Sequence, residues 1–171
     1  MNAGTHDDEG KVHSFSDVIR SVTVIDRVRR IRSIAAEQIG FSYRSSNLDG
    51  EIVLKADLSL TPDDPKAIAR RVERLWEFKR STQDWSGPSV GCIFKNPSHG
   101  PAAGWMIDQA GLKGASVGGA EVSQRHANFI LNRGSARASD VLALIEEVRA
   151  QVRRRFGVEL ELEVRLLPCD P

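Results

Sequence analysis

The chain has 171 residues, 40% hydrophobic and 27% charged, with 24 Lys+Arg against 23 Asp+Glu, a composition that excludes wholesale disorder and suits one globular domain or two small ones. A formal charge of +1 leaves no global field to drive adhesion to nucleic acid or to an anionic membrane, so neither partner is expected. No apolar run approaches the ~20 residues of a membrane span, and the opening MNAGTHDDEGK lacks the basic and apolar segments of a signal peptide, so a cytoplasmic location is expected.

Along the chain, Val22, Val24, Val28 and Ile31 among charged residues predict two short strands within 22–34, joined by a tight turn near Asp26. Residues 33–39 predict one helical turn stopped by Gly40, followed by the polar loop FSYRSSNLDG. From Glu51 to Leu60, the alternation of Ile52, Leu54, Ala56, Leu58 and Leu60 with mostly polar partners predicts a half-buried strand. Asp64 followed by Pro65 is a helix start, because a capping carboxylate satisfies free amides and proline fits the first turn. Ile68, Val72, Leu75 and Trp76 then share one face of a helix reaching about Lys79. The Gly-, Pro- and Ser-rich stretch that follows predicts loop, a brief strand at Cys92 to Phe94, and loop again.

Ala102 to Ala110 predicts a short helix ended by Gly111, and Gly114, Gly118 and Gly119 punctuate the turns before an apolar strand at Ala127 to Leu131. Ser139 is expected to cap the last helix, whose stripe is Val141, Ile145, Val148, Val152 and Phe156. Arg153 to Arg155 lie near the negative end of its dipole, and Gly157 is its stop. A final strand is expected from Val158 to Leu167, with Glu159, Glu161 and Glu163 on its polar face. The fold class is therefore α+β, divided at about Asp64 into residues 1–63 and 64–171.

Cys92 and Cys169 are too few for a disulfide framework and have no CxxC spacing. His6, His13, His99 and His126 show no metal-ligand spacing, so no bound metal is expected. Cys92 in GCIFKNP is either a thiol presented to a ligand, able to donate a proton from an ordinary pKa of ~8.5, or a small buried hydrophobe beside Ile93 and Phe94. Tyr43 and Arg44 in FSYRSS either grip a carboxylate or phosphate or decorate a solvated turn. The three glutamates of the last strand are ordinary surface charge unless one of them is buried against a ligand. The clusters at Arg27, Arg29, Arg30 and Arg32 and at Arg153 to Arg155 read as solvated faces. The glycines of GLKGASVGGAEV match neither GxGxxG nor a Walker motif.

Taken together, MNAG, GFSYRSS, GCIFKNP, GWMIDQAGLKG, GGAEVSQRHANFILN and FGVELELEVR closely resemble, in order and spacing, the UDP-N-acetylenolpyruvoylglucosamine reductase family, also called UDP-N-acetylmuramate dehydrogenase. The resemblance implies peptidoglycan precursor chemistry: NADPH reduces FAD, and the flavin passes hydride to the enolpyruvyl ether of a UDP-linked amino sugar. It places Cys92 at the position of the general acid, with Arg44 and Glu163 at the other two catalytic positions. It assigns Tyr43, Arg80, Lys95, Asn96 and His126 to substrate binding, and Asn2, Ala3 and Gly4 to the flavin. The choice of Glu163 among three similar glutamates comes from the resemblance and not from periodicity.

The same resemblance implies that residues 1–63 are the C-terminal part of the flavin-binding domain and residues 64–171 the UDP-sugar domain. A further flavin-binding subdomain is expected ahead of MNAG, supplied by a longer reading frame or by a separate polypeptide. The alternative expectation is a non-catalytic fragment that binds UDP-sugars.

Overall fold

A computed structural model describes residues 4–6 and 12–167 and divides into two compact units, Met1–Asp64 and Pro65–Pro171. In the first unit, β1 (Gly4–His6) pairs antiparallel with β2 (Val12–Ser14). A three-stranded antiparallel sheet follows in the order β4-β3-β5, built from β3 (Ile19–Ile25), β4 (Ile31–Ala35) and β5 (Ile52–Leu58). The turn between β3 and β4 falls where Asp26 predicts it. Asp26 Oδ1 accepts the backbone amides of Val28 and Arg30, each at 2.9 Å, and Arg29 takes a left-handed φ of 64°. Ile19, Val22, Val24, Ile34 and Ile39 form the small core of this unit.

Two expectations for the first unit are corrected. Ser33, Ile34 and Ala35 are not helical, because they pair with Thr23, Val22 and Ser21 in the sheet; only Ala36–Gln38 makes a 3₁₀ turn. The strand at Ile52–Leu58 forms, yet Ile52, Val53 and Leu54 are 64%, 52% and 53% exposed. It is an edge strand in which every residue but Asp57 is exposed, so alternation does not translate into burial.

In the second unit α1 (Pro65–Thr82) precedes a four-stranded antiparallel sheet in the order β6-β9-β8-β7. Its strands are β6 (Ser89–Cys92), β7 (Ser116–Val117), β8 (Ala120–Val122) and β9 (Phe129–Asn132). The helices α2 (Ala103–Gln109) and α3 (Ala138–Phe156) bury Met106, Ile107, Leu144, Ile145, Val148 and Val152 together with Ile93, Phe94, Val122 and Leu160. Gly157 ends α3 in the left-handed conformation at φ 69°, as a C-terminal glycine can without steric cost.

The second unit corrects four further expectations. Helix α1 forms with the predicted phase but buries none of its residues, Trp76 being 49% exposed. Ser139 lies inside α3 and not at its cap; Asp140 Oδ2 accepts the amides of Arg137 at 3.0 Å and Gly119 at 3.3 Å, so the capping carboxylate stands one residue later. The strand expected at Cys92 to Phe94 instead ends at Cys92, with Ile93 and Phe94 buried beyond it. The final strand is reduced to a bridge between Phe94 and Leu162. Glu159 and Glu161 stay exposed and Leu160 is buried, but residues 162–164 are all half-buried, which breaks the alternation at Glu163.

Candidate functional site

The site grows from the end of β6. Gly91 takes φ +82°, a conformation that side-chain-bearing residues rarely adopt, and it turns the chain so that Cys92 stands half-buried at a pocket while Ile93 and Phe94 enter the core. The segment after Cys92 is clamped by Asn128. The Asn128 carbonyl accepts the Ile93 amide at 2.9 Å, its Oδ1 accepts the Phe94 amide at 3.0 Å, and its Nδ2 donates to the Phe94 carbonyl at 2.8 Å. Asn128 is 3% exposed, and with its amide so engaged it is a buried polar group fully held in place.

The pocket has a volume of about 330 Å³ and is lined by Cys92, Asn96, Ala102, Gly104, Trp105, Asp108, Lys113, Arg125, His126, Ala127 and Asn128. Asn96 Oδ1 accepts the Ala103 amide at 3.0 Å and so fixes the start of α2. Trp105, half-exposed on α2, packs its ring 5.9 Å from Phe156. Lys113 Nζ pairs with Asp108 at 2.7 Å. Arg125 donates through Nη2 to the carbonyls of Arg80 and Ser81, at 2.7 and 3.0 Å, at the C-terminal end of α1. His126 packs 4.5 Å from the Phe129 ring, and its buried Nδ1 has no hydrogen-bond partner among the described residues. Burial, reinforced by the Lys113 charge, pushes its pKa below the ordinary histidine value, which keeps the imidazole neutral at pH 7.

Glu163 is tied to the same segment, since its backbone amide donates to the Ile93 carbonyl at 2.8 Å. The neighbouring glutamates are committed elsewhere. Glu159 pairs with Arg149 at 3.1 Å and Arg153 at 3.6 Å, and Glu161 pairs with Lys95 at 3.3 Å.

Of the positions singled out in the sequence, Cys92, Asn96 and His126 thus share one pocket and Glu163 adjoins its Cys92 segment. Arg80, at the last turn of α1, and Lys95 are not among the lining residues. Tyr43 and Arg44 belong to the first unit, at the tip of a turn closed by reciprocal 3.1 Å bonds between Ser42 and Ser45. Arg44 takes a left-handed φ of 55° there, and its guanidinium lies 5.8 Å from the Tyr43 ring. A long side chain held in that conformation costs about 1 kcal/mol and is the kind of backbone exception that clusters at functional sites. Asn2 and Ala3 lie outside the described residues, as does Cys169, and Gly4 opens β1.

Trp105, Asp108, Lys113, Arg125 and Asn128 were not legible as site residues from spacing. The available signals are that all five lie inside the quoted segments GWMIDQAGLKG and GGAEVSQRHANFILN and that Lys113 sits between Gly111 and Gly114, which take φ values of +76° and +79° in a tight loop. Of the basic clusters, Arg30 pairs with Asp26 and Arg32 with Glu51 at the surface. Among the described residues no group of His, Cys, Asp or Glu is arranged to hold a metal ion, and no helix is long and apolar enough to cross a membrane. Toward a flavin, the exposed Tyr43 ring can stack on a flat cofactor and the adjacent Arg44 supplies a cation.

Residues 82–167 match the family model described as UDP-N-acetylenolpyruvoylglucosamine reductase, C-terminal domain. The chain is 43% identical over 169 residues to the UDP-N-acetylenolpyruvoylglucosamine reductase of Heliobacterium modesticaldum, covering 98% of this chain and 52% of that protein. It is 42% identical over 173 residues to the reductase of the same name from Chlamydia muridarum, covering 100% of this chain and 55% of that one. Among solved structures, UDP-N-acetylenolpyruvylglucosamine reductase from Thermus caldophilus matches with a TM-score of 0.81 at 37% identity, over 98% of this chain and 58% of that chain. The chain spans about half the length of the curated relatives it matches.

Proposed function

The chain belongs to the UDP-N-acetylenolpyruvoylglucosamine reductase family, and from that premise we propose that it supplies the substrate-binding part of an oxidoreductase that reduces UDP-N-acetylglucosamine enolpyruvate to UDP-N-acetylmuramate in the cytoplasm, for peptidoglycan synthesis. The observation that carries this reading is the pocket that gathers the Cys92 thiol and the Asn96 amide with the Lys113 and Arg125 cations and a neutral His126. Two cations in a pocket of this size suit a nucleoside diphosphate, and a half-exposed tryptophan beside them suits a flat base or a sugar face.

In this reading Cys92 is the general acid. Reduction of the enolpyruvyl double bond needs a hydride on one carbon and a proton on the other, and the thiol gives its proton to the second. As the first carbon is reduced, charge builds on the substrate carboxylate, which Arg44 stabilises as a fixed cation. Glu163 holds the carboxyl region by hydrogen bonding. Arg80, Lys95, Asn96, His126 and Tyr43 are assigned to the UDP-sugar, Arg80 and Lys95 as cations outside the pocket lining. Gly4, with Asn2 and Ala3, is assigned to FAD, which when bound and reduced by NADPH supplies the hydride.

The exposed apolar faces of α1 and β5 support a second element of the proposal. Ile68, Val72 and Trp76 on α1 and Ile52 and Leu54 on β5 are each between 41% and 64% exposed, and exposed apolar side chains that share a face suit contact with a further surface. We assign them as contacts for the remainder of the flavin-binding polypeptide, whether joined to this chain or separate. The alternative reading is a non-catalytic module that only binds UDP-sugars.

The test is to saturate the folded chain with FAD, remove free cofactor, and record the visible flavin band before and after NADPH and then the enolpyruvyl substrate. Bleaching followed by recovery supports the reductase. Binding of UDP-N-acetylglucosamine without retained flavin supports the binding module, and a folded chain that binds neither ligand removes both readings.

A further inference from the structure

Beneath the pocket, Ser123 and Asp84 form a buried polar pair that the reading above does not use. Ser123, directly after β8, is 0% exposed, and Asp84, in the loop after α1, is 9% exposed. A hydroxyl has one proton to give and two lone pairs to accept with. Ser123 Oγ donates to Asp84 Oδ2 at 2.5 Å and accepts the backbone amides of Arg125 and His126, each at 3.0 Å. Every hydrogen-bonding valence of this hydroxyl is therefore spent inside the protein. The other carboxylate oxygen of Asp84 accepts the Ser86 amide at 2.9 Å.

An ionised carboxylate can only accept, so it dictates which way the hydroxyl proton points and turns the lone pairs of Ser123 toward the 125–126 backbone. Hydrogen bonds from Ser123 and then Ser86 hold the Asp84 carboxyl at about 2, well below the usual carboxylate range. The loop is tied to the same region a second time, because the Arg125 guanidinium reaches the Arg80 and Ser81 carbonyls. We propose that Asp84 and Ser123 are positioning residues of the site: the carboxylate orients the hydroxyl, the hydroxyl holds the Arg125–His126 backbone, and the pair sets the His126 ring on the pocket wall in register to receive a UDP-sugar. The identity of that ligand rests on the reading above, whereas the placement of His126 does not.

The experiment compares Ser123→Ala, Ser123→Thr and Asp84→Asn with the unchanged chain, reading the His126 imidazole titration by NMR and the affinity for UDP-N-acetylglucosamine by calorimetry. Releasing the loop exposes His126, so its titration midpoint rises toward the ordinary histidine value in Ser123→Ala and in Asp84→Asn. Loosening of the Ser123 hydrogen bonds to the Arg125 and His126 amides weakens UDP-N-acetylglucosamine binding roughly tenfold. Ser123→Thr keeps the hydroxyl and restores both readouts.

A pair that only braces the fold would lower the unfolding temperature while leaving the His126 midpoint and the affinity of the folded protein unchanged, and that result overturns the proposal. If Ser123→Ala does not fold, Asp84→Asn against Ser123→Thr carries the same comparison. A shifted His126 midpoint in a series whose unchanged chain binds no UDP-sugar upholds the positioning of His126 and removes the UDP-sugar reading. An unmoved midpoint alongside normal sugar binding does the reverse.

Discussion

The backbone amide of Glu163 donates to the carbonyl of Ile93 at 2.8 Å, which fastens Glu163 to the residue that follows Cys92. The pairing continues in one direction from that bond through the Phe94–Leu162 bridge to the Lys95 amide, which donates to the Glu161 carbonyl at 2.8 Å. Cys92 and Glu163, 71 positions apart in the numbering, are thereby brought to one short patch of backbone pairing. The three glutamates of the segment are thus physically unequal: Glu159 and Glu161 are exposed in surface ion pairs, whereas Glu163 is half-buried.

That inequality predicts the outcome of three matched substitutions in a reductase that carries this chain. Glu163→Gln lowers kcat by about 100-fold, in the range of a lost positioned acid-base or hydrogen-bonding group. Glu159→Gln and Glu161→Gln leave turnover within a factor of two and stability within about 0.5 kcal/mol, because exposed ion pairs contribute little. Steady-state kinetics on the three variants checks this, and equal losses for all three would remove the assignment of Glu163.

Cys92 yields a second prediction through the identity of its replacement. Cys92→Ala removes the proton donor and lowers kcat by about 10²–10⁴-fold, with KM for the UDP-sugar changed much less, since Asn96, Lys113, Arg125 and His126 remain on the pocket wall. Cys92→Ser keeps a donor of similar size and retains more activity than alanine. A Cys92→Ala enzyme with normal turnover would show that the proton comes from elsewhere.

Much of this organisation was legible in the chain, and what was not has identifiable causes. The Asp26 turn, α2, α3 and the stop at Gly157 follow from local chemistry, and the α+β class follows from them. The Val158–Leu167 strand did not materialise because alternation records which side chains seek the core, not whether a partner strand exists; what residues 161–163 meet is the short segment Ile93, Phe94 and Lys95, which lies beyond the end of β6. The apolar faces of α1 and β5 mislead for the related reason that an amphipathic pattern states a demand for cover and not its source. The roles of Asn128, Lys113 and Ser123 could not be read from spacing because they rest on contacts with residues 34, 5 and 39 positions away, and single-chain periodicity carries no such information.

Gly119 gives a prediction about the scaffold. A Cβ at this position would lie 2.4 Å from the Ala136 nitrogen and 2.6 Å from the Ser135 carbonyl carbon, distances that backbone atoms cannot relieve without moving. The same residue donates its amide to Asp140, the carboxylate that caps α3. Gly119→Ala is therefore expected to destabilise the protein by about 2–3 kcal/mol, combining backbone displacement with a weakened cap. Gly40→Ala, whose added carbon would meet only Asn47 side-chain atoms at 3.6 Å or beyond, is the tolerated control. Chemical denaturation of both variants checks the contrast.

His126 sets an acid limit to stability whose direction follows from its environment. Burial, and secondarily the Lys113 charge, lowers its pKa from 6.5 in the folded protein. Above that value the imidazole is neutral in both states, and its contribution to stability is fully present. As the pH falls below 6.5 the unfolded chain takes up a proton that the folded chain refuses, so stability declines until the lower folded pKa is reached and then levels. The slope attributable to one such proton cannot exceed about 1.4 kcal/mol per pH unit. The unfolding temperature is therefore expected to drop between pH 7 and pH 5, and His126→Gln, which cannot take up the proton, to show a shallower drop over the same interval. Scanning calorimetry of the two proteins at matched ionic strength decides it: parallel curves would mean that His126 titrates alike in both states and is not held in the buried, neutral form that the pocket requires.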